Sequence, residues 1–240
     1  MRDDQQSDIN VKDNTEVDTQ AQKLTEIQCV DEPEEEHNQV IDPVFLIEEG
    51  IDKIKFIKKL HEGGNGIIDK VLFNGDESAS KTLHPGCDLF NLLNEAAILC
   101  HLKGAGGAPF LYGLSQVPAR IIMSFAGSPY EKYLLTRSEK EIVDSLISIV
   151  DQLQEIHEAG VIHNDIRIDN ITVTYDDGVS FHFVDFSLST MEGQVLKLVG
   201  EGESPWMSPE SMNREPLSPA SDVFSLGCLF NDIQSYVHKE

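Results

Sequence analysis

Positive charge is what this chain most lacks. Its 240 residues carry 18 Lys or Arg against 42 Asp or Glu, a formal charge of −24. No basic patch is available to neutralise phosphate, which argues against a nucleic-acid surface and an anionic membrane as partners. Cysteine is sparse too. Cys29, Cys87, Cys100 and Cys228 are scattered without the close pairs of a structural metal site, so they read as reduced thiols of a cytoplasmic or nuclear protein. Long apolar runs are missing. The opening Met1-Arg2-Asp3-Asp4-Gln5-Gln6 has no signal-peptide core, and no stretch approaches the length of a membrane span. No internal repeat is visible. What remains is long enough to bury a proper core, in one domain or two packed lobes.

The acid is unevenly placed. Residues 1–50 hold 15 Asp or Glu against 3 Lys or Arg, so half of the net charge lies in about a fifth of the chain. Residues 1–42 have no aromatics and no helical periodicity, and Asp31-Glu32-Pro33-Glu34-Glu35-Glu36 is the densest acidic run. They predict a disordered acidic tail, solubilising before it is partner-binding. Order is expected from Pro43. Short strands and turns follow to about residue 85, including Glu62-Gly63-Gly64-Asn65-Gly66 and Asn74-Gly75-Asp76. Apolar residues at 89, 92, 93, 96 and 99 predict a helix from Leu89 to Leu102, stopped by Gly104. A second helix is expected over 139–158, where Ser138 and Glu141 form a capping box and Gly160 terminates. Strands are expected at 109–112, 120–123, 171–174 and 180–184, and a last helix near Ser221.

The chemistry is concentrated in Val161 to Val173, which places His163, Asp165 and Asn170 in the order His-x-Asp-x-x-x-x-Asn. That spacing suits phosphoryl transfer: a carboxylate orients a hydroxyl, and a carboxamide five residues on holds a metal. Upstream, Gly63, Gly64 and Gly66 lie in a turn where backbone amides could approach phosphates closely. Ala79 and Lys81, two apart on a strand, share a face, so a small residue leaves room for a flat base while an ammonium reaches phosphate oxygens.

Taken together and in order, these segments resemble the eukaryotic protein kinases over about residues 50–240. Leu60 to Ile68 is similar to the glycine-rich loop, with Gly63 and Gly66 as its second and third glycines, His61 in place of the first, and Ile68 over the adenine. Ser78-Ala79-Ser80-Lys81 resembles the Val-Ala-x-Lys strand, and Glu95 the helix glutamate that pairs with its lysine. Met123-Ser124-Phe125-Ala126-Gly127 resembles the hinge, with Met123 as gatekeeper. Phe183-Val184-Asp185-Phe186-Ser187 is similar to the Asp-Phe-Gly element, Ser208-Pro209-Glu210 to the Ala-Pro-Glu anchor, and Ser221 to Cys228 to the Asp-Val-x-Ser-x-Gly helix.

The resemblance implies an α+β, bilobal protein-kinase-like fold. Residues 43–127 would form the strand-rich N-lobe and hinge, and 128–240 a helical C-lobe lacking its last helices. The implied cofactors are ATP and Mg²⁺, and the implied activity is transfer of the γ-phosphate to a hydroxyl of a protein substrate. Asp165 would serve the acceptor hydroxyl, Arg167 would face the γ-phosphate, and Asn170 and Asp185 would hold magnesium. Lys81 with Glu95 would bind phosphates, and Gly63, Gly64 and Gly66 would form the flap. Ile68, Ala79, Met123, Ala126 and Thr172 would surround the adenine. His163 and Phe186 would be packing residues, and Asp222 would hold the catalytic-loop backbone.

The departures keep alternatives open. Asn164 replaces the arginine that reads a phosphorylated activation loop, although Ser189, Thr190 and Ser204 remain available in that loop. Ser187 replaces a flexible glycine, and Thr172 an apolar adenine floor. The chain ends soon after the Asp222 helix. The expected consequences are an uncovered apolar side (Leu226, Leu229, Phe230, Ile233), a Glu210 without its arginine, and a chain that is a fragment or borrows cover from a regulatory partner. Serine/threonine and tyrosine specificity are both compatible. A pseudokinase, binding nucleotide or scaffolding without turnover, is the rival reading. A small-molecule phosphotransferase is disfavoured by Ser208-Pro209-Glu210 and the Asp222 helix.

Overall fold

Consecutive strands joined by short turns build the first layer. The computed structural model describes residues 54–196 and 204–237, together with the backbone of 44–45. Backbone contacts divide the chain between His37 and Asn38, and every described residue belongs to the second unit, Asn38–Glu240. The acidic segment expected over 1–42 lies outside the described residues.

Six strands form one sheet in the order β1-β5-β6-β4-β3-β2. They are β1 (Val44–Phe45), β2 (Lys55–Glu62), β3 (Gly66–Phe73), β4 (Asp76–Leu83), β5 (Leu111–Gln116) and β6 (Ala119–Ser124). The β3–β4 turn is Asn74-Gly75, with φ of 54° and 101°. Two consecutive left-handed residues give a hairpin turn whose twist matches the strands, and Asn-Gly adopts it at little cost. Every position of β2 is exposed, and among the described residues β2 pairs only with β3, at the sheet edge.

Helix α1 (Leu89–Leu102) packs on β5 and β6 and buries Leu92, Ala96 and Leu99. Asp88 caps its start by accepting from the Phe90 amide at 2.8 Å. Lys103, at φ 47°, ends it one residue before Gly104.

Past residue 124 the chain crosses to a largely helical region. It contains β7 (Ser128–Pro129), α2 (Tyr130–Leu134), α3 (Glu139–Glu158), β8 (Val161–Ile162), β9 (Ile171–Thr174), β10 (Ser180–Phe183), β11 (Thr190–Met191), α4 (Pro209–Met212) and α5 (Pro219–Val237). Helix α3 starts where the capping box requires: the Ser138 hydroxyl accepts from the Glu141 amide, and the Glu141 carboxylate accepts from the Ser138 amide. It buries Ile142, Ile149, Leu153 and Ile156 against β10 and α5, and leaves Val143, Ile147 and Val150 exposed. The whole is the α+β protein-kinase-like fold that the motifs implied.

The last helix corrects one expectation. Leu226, Leu229 and Ile233 are buried, with Leu229 and Ile233 each 1% exposed, because this stripe packs toward α3, while Phe230 is only half-buried. The apolar side chains left in solvent are Val223 and Phe224. Glu210, expected without its arginine, accepts from the Ser221 hydroxyl at 2.6 Å. Strand β5 also begins later than the sequence suggested, at Leu111, because the left-handed glycines at 104, 106 and 107 lead into it. Among the described residues no helix is long and apolar enough to cross a membrane.

Candidate active site

The sheet register gathers the first group of residues. Ile68 lies opposite Lys81, and Ala79 opposite Met123, so a single face of the sheet carries all four. Lys81 Nζ lies 2.6 Å from Glu95 Oε2 on α1 and 2.7 Å from Asp185 Oδ1 after β10. One cation therefore ties the sheet, the helix and the far region together. Burial disfavours its charge, but the two carboxylates outweigh that and raise its pKa above that of a free lysine. Burial raises Glu95, and the charge of Asp185 adds to it, so that despite Lys81 its carboxyl is pushed up to about 7. Asp185 is also raised by burial but lies under the stronger pull of Lys81 and the Ser187 hydroxyl, which bring it down to about 2. Ser187, in the position of the flexible glycine, helps to hold Asp185, its hydroxyl 2.7 Å from Oδ1.

The glycine-rich turn sits at the tip of β2 and β3. The Gly63 amide donates to Gly66 O at 3.0 Å, and the Gly63 carbonyl lies 3.1 Å from His84 Nε2. A Cβ on Gly66 would fall 2.3 Å from the Thr82 carbonyl, so this position requires glycine. Gly64 meets nothing within 4 Å and is open. Beyond Met123, the segment of Ala126 and Gly127 bends onto β9: a Cβ on Gly127, at φ 94°, would lie 2.1 Å from the Val173 carbonyl. Thr172 pairs with Pro129 across β7 and β9, and Ala126 lies ahead of β7 in the chain. The Thr172 hydroxyl is buried and has no hydrogen-bond partner among the described residues.

The polar loop between β8 and β9 is held from below. Asp222, fully buried on α5, accepts from the amides of His163 at 2.8 Å and Asn164 at 2.7 Å, and pairs with His157 Nε2 at 2.8 Å. His163 and Phe186 are both buried with ring centroids 4.7 Å apart, as expected of packing residues. Asn170 Nδ2 donates to Asp165 Oδ2 at 2.6 Å and to the Asp165 carbonyl at 2.9 Å. Arg167 pairs with Asp169 and stacks over the Trp206 ring at 4.4 Å. Asp185 itself takes a left-handed conformation, φ 62° and ψ 73°.

Three contacts were not anticipated. Asn94 on α1 donates to the carbonyls of Ser187 at 3.3 Å and Ser189 at 2.8 Å, a second tie beside the Lys81 bridge. Its position next to Glu95 was the only signal available. Trp206 Nε1 donates to Asp165 Oδ1 at 2.7 Å. The chain's one tryptophan lies just before Ser208-Pro209-Glu210, and nothing in that spacing pointed to Asp165. Asn164, read as a lost arginine, donates to Leu188 O at 3.4 Å and accepts from the Ser211 hydroxyl. Ser189 and Thr190 are 1% and 8% exposed, and the Ser189 hydroxyl donates to His163 O at 2.9 Å. Neither is available in this arrangement as a modification site.

The oxygens near this cluster suit a hard divalent cation. With its amide nitrogen committed to Asp165, Asn170 keeps Oδ1 without a partner among the described residues, and so does Asp185 with Oδ2. No group of three His, Cys, Asp or Glu side chains that could hold a metal occurs among the described residues. Two side-chain oxygens are the number expected where substrate phosphates complete the shell.

Comparison with known proteins agrees with this geometry. The family described as "Protein kinase domain" matches residues 111–236. Mitogen-activated protein kinase kinase kinase 12 of Rattus norvegicus is 26% identical over 200 residues, 80% of this chain and 21% of that protein. Serine/threonine-protein kinase PAK 4 of Homo sapiens is 30% identical over 92 residues, 38% of this chain and 16% of that protein. Eukaryotic translation initiation factor 2-alpha kinase 1 of Plasmodium falciparum is 32% identical over 97 residues, 40% of this chain and 6% of that protein. The aligned regions thus span only 6% to 21% of these three relatives' lengths. With more than half of its residues inside the matched domain and every motif of the site in sequence order, the chain belongs to the protein kinase family.

Proposed function

We propose that this chain binds Mg-ATP and transfers the γ-phosphate to a hydroxyl of a protein substrate. The observation that carries the reading is the Lys81 bridge, an ammonium held at 2.6 and 2.7 Å from Glu95 and Asp185. A cation so placed meets phosphate oxygens without reorganising, which is how electrostatic preorganisation lowers a barrier. In this reading Gly63, Gly64 and Gly66 cover the phosphates, and Ile68, Ala79, Met123, Ala126 and Thr172 enclose the base. Asn170 and Asp185 would hold magnesium, which neutralises charge on the phosphates when bound. Asp165 orients the acceptor hydroxyl and takes its proton. Arg167, stacked on Trp206, supplies positive charge beside it. Residues 43–127 then act as the small lobe with its hinge, and 128–240 as the large one. The names of two relatives, serine/threonine-protein kinases of Homo sapiens and Mycosarcoma maydis, favour serine or threonine as acceptor.

One observation favours the second reading, a nucleotide-binding scaffold without turnover: His61 stands at the flap in place of a glycine, and a Cβ on Gly63 would fall 3.3 Å from its ring. Thermal melting with Mg-ATP separates nucleotide binding from its absence, and phosphate transfer to serine, threonine and tyrosine peptides separates catalysis from binding. At about a hundredfold excess over Kd, binding should raise Tm by about 5 °C or more. The shift should be lost in Lys81→Ala and Asp185→Ala, while Asp165→Asn should keep the shift and lose transfer. A shift without transfer in the unaltered chain would establish the scaffold reading, and no shift at all would remove both.

A further inference from the structure

Asp165 is held at both of its oxygens. Asn170, five residues on in the same loop, holds Oδ2. Oδ1 is held from a different part of the chain, by the indole N–H of Trp206. Trp206 is itself fixed at three points. It sits in a turn closed by the Met207 amide on Ser204 O at 2.9 Å, with Pro205 where such turns favour it. Its carbonyl accepts from the Ser225 hydroxyl of α5 at 2.6 Å. Its ring face lies under the Arg167 guanidinium at 4.4 Å. The indole is thus a donor on a braced ring, aimed at a carboxylate.

We propose that Trp206 is a positioning residue for the acceptor step: the segment leading into Ser208-Pro209-Glu210 uses its indole N–H to set the orientation of the Asp165 carboxylate. A carboxylate oxygen has two lone pairs. The indole takes one on Oδ1 and leaves the other for an incoming hydroxyl, while Asn170 prevents rotation from the other side. Without the N–H, only one oxygen is restrained and the carboxylate samples orientations unproductive for transfer. Positioning errors of that kind act on turnover and leave nucleotide binding alone. Acceptor segment and carboxylate are therefore coupled by a side-chain contact 41 residues apart in sequence. The inference rests on the kinase reading above.

Because Trp206 is the sole tryptophan, its indole N–H gives a single proton–nitrogen resonance. In the unaltered chain this resonance should lie downfield, as for a donor to a carboxylate, and should move upfield in Asp165→Ala. The kinetic arm replaces Trp206 with benzothienylalanine, which keeps the ring over Arg167 but carries sulfur in place of the N–H. That chain should melt at the unaltered temperature and keep its KM for ATP, with kcat lower by about tenfold. Trp206→Phe should show the same kcat loss. An indole resonance indifferent to Asp165→Ala, or an isostere that turns over at the full rate, would overturn the positioning role alone. Absence of turnover in the unaltered chain would overturn the transfer reading and the role together, whatever the resonance shows.

Discussion

Lys81 concentrates the electrostatics of the site in one side chain. Removing it leaves the buried carboxylate of Glu95 without its counter-charge beside that of Asp185, and breaking a buried pair of this kind costs about 3 kcal/mol or more. Lys81→Met should therefore be destabilised by about 3 kcal/mol in urea unfolding at pH 8, and by less at pH 5.5, where Glu95 accepts a proton. The sign follows from Glu95. Its carboxyl is raised from 4.5 to about 7 on folding, so its contribution is fully present below 4.5 and is lost as pH rises through 7. Asp185 runs the other way. It is lowered from 3.8 to about 2, so its contribution is present above 3.8 and lost as pH falls toward 2. The Tm difference between the unaltered chain and Asp185→Asn should accordingly shrink across that interval, as a pH series of melts will show. A difference constant from pH 5 to 2 would contradict the pairing.

Elements were readable wherever their signals are local. Helix α3 begins and ends at the residues that the capping box and Gly160 indicate, because a cap is decided within four residues of chain. The same reasoning gives a test: Ser138→Ala should lower stability by about 1 kcal/mol in denaturant unfolding, through the lost acceptor at the helix start. The Lys81–Glu95 pair was legible for another reason, since a strand lysine and a helix glutamate at that spacing are bound by the resemblance. The uncovered face of α5 was misjudged. An apolar stripe at 226, 229 and 233 shows that a helix is covered on that side but not by what, and the partner is α3, over sixty residues earlier. Trp206 and Asn94 were missed because a donor's target across tens of residues leaves no trace in spacing. The bend at Gly127 belongs here too. Gly127→Ala would drive a Cβ into the Val173 carbonyl at a left-handed φ and should cost about 2 kcal/mol or more, measured by the same unfolding.

Across the whole molecule, Asp222 joins α5 to the loop that carries Asp165 and Asn170. Its three donors would be left unsatisfied in a buried space by Asp222→Ala, which should lose about 3 kcal/mol or more and show a weaker Mg-ATP shift as the loop loosens. A melt unchanged from the parent would place the support of that loop elsewhere. The opposite extreme is β2. Among the described residues, a strand with eight exposed positions and a neighbour on only one side has little besides its backbone ladder to keep it closed. Its amides belong at the fast end of native-state hydrogen exchange, opening locally while α3 and α5 stay shut. The roof of the candidate nucleotide site is then its least protected ribbon. Some of the free energy of binding must go into ordering it, so slowed deuterium uptake along Lys55–Glu62 would be the earliest sign that a nucleotide has settled beneath.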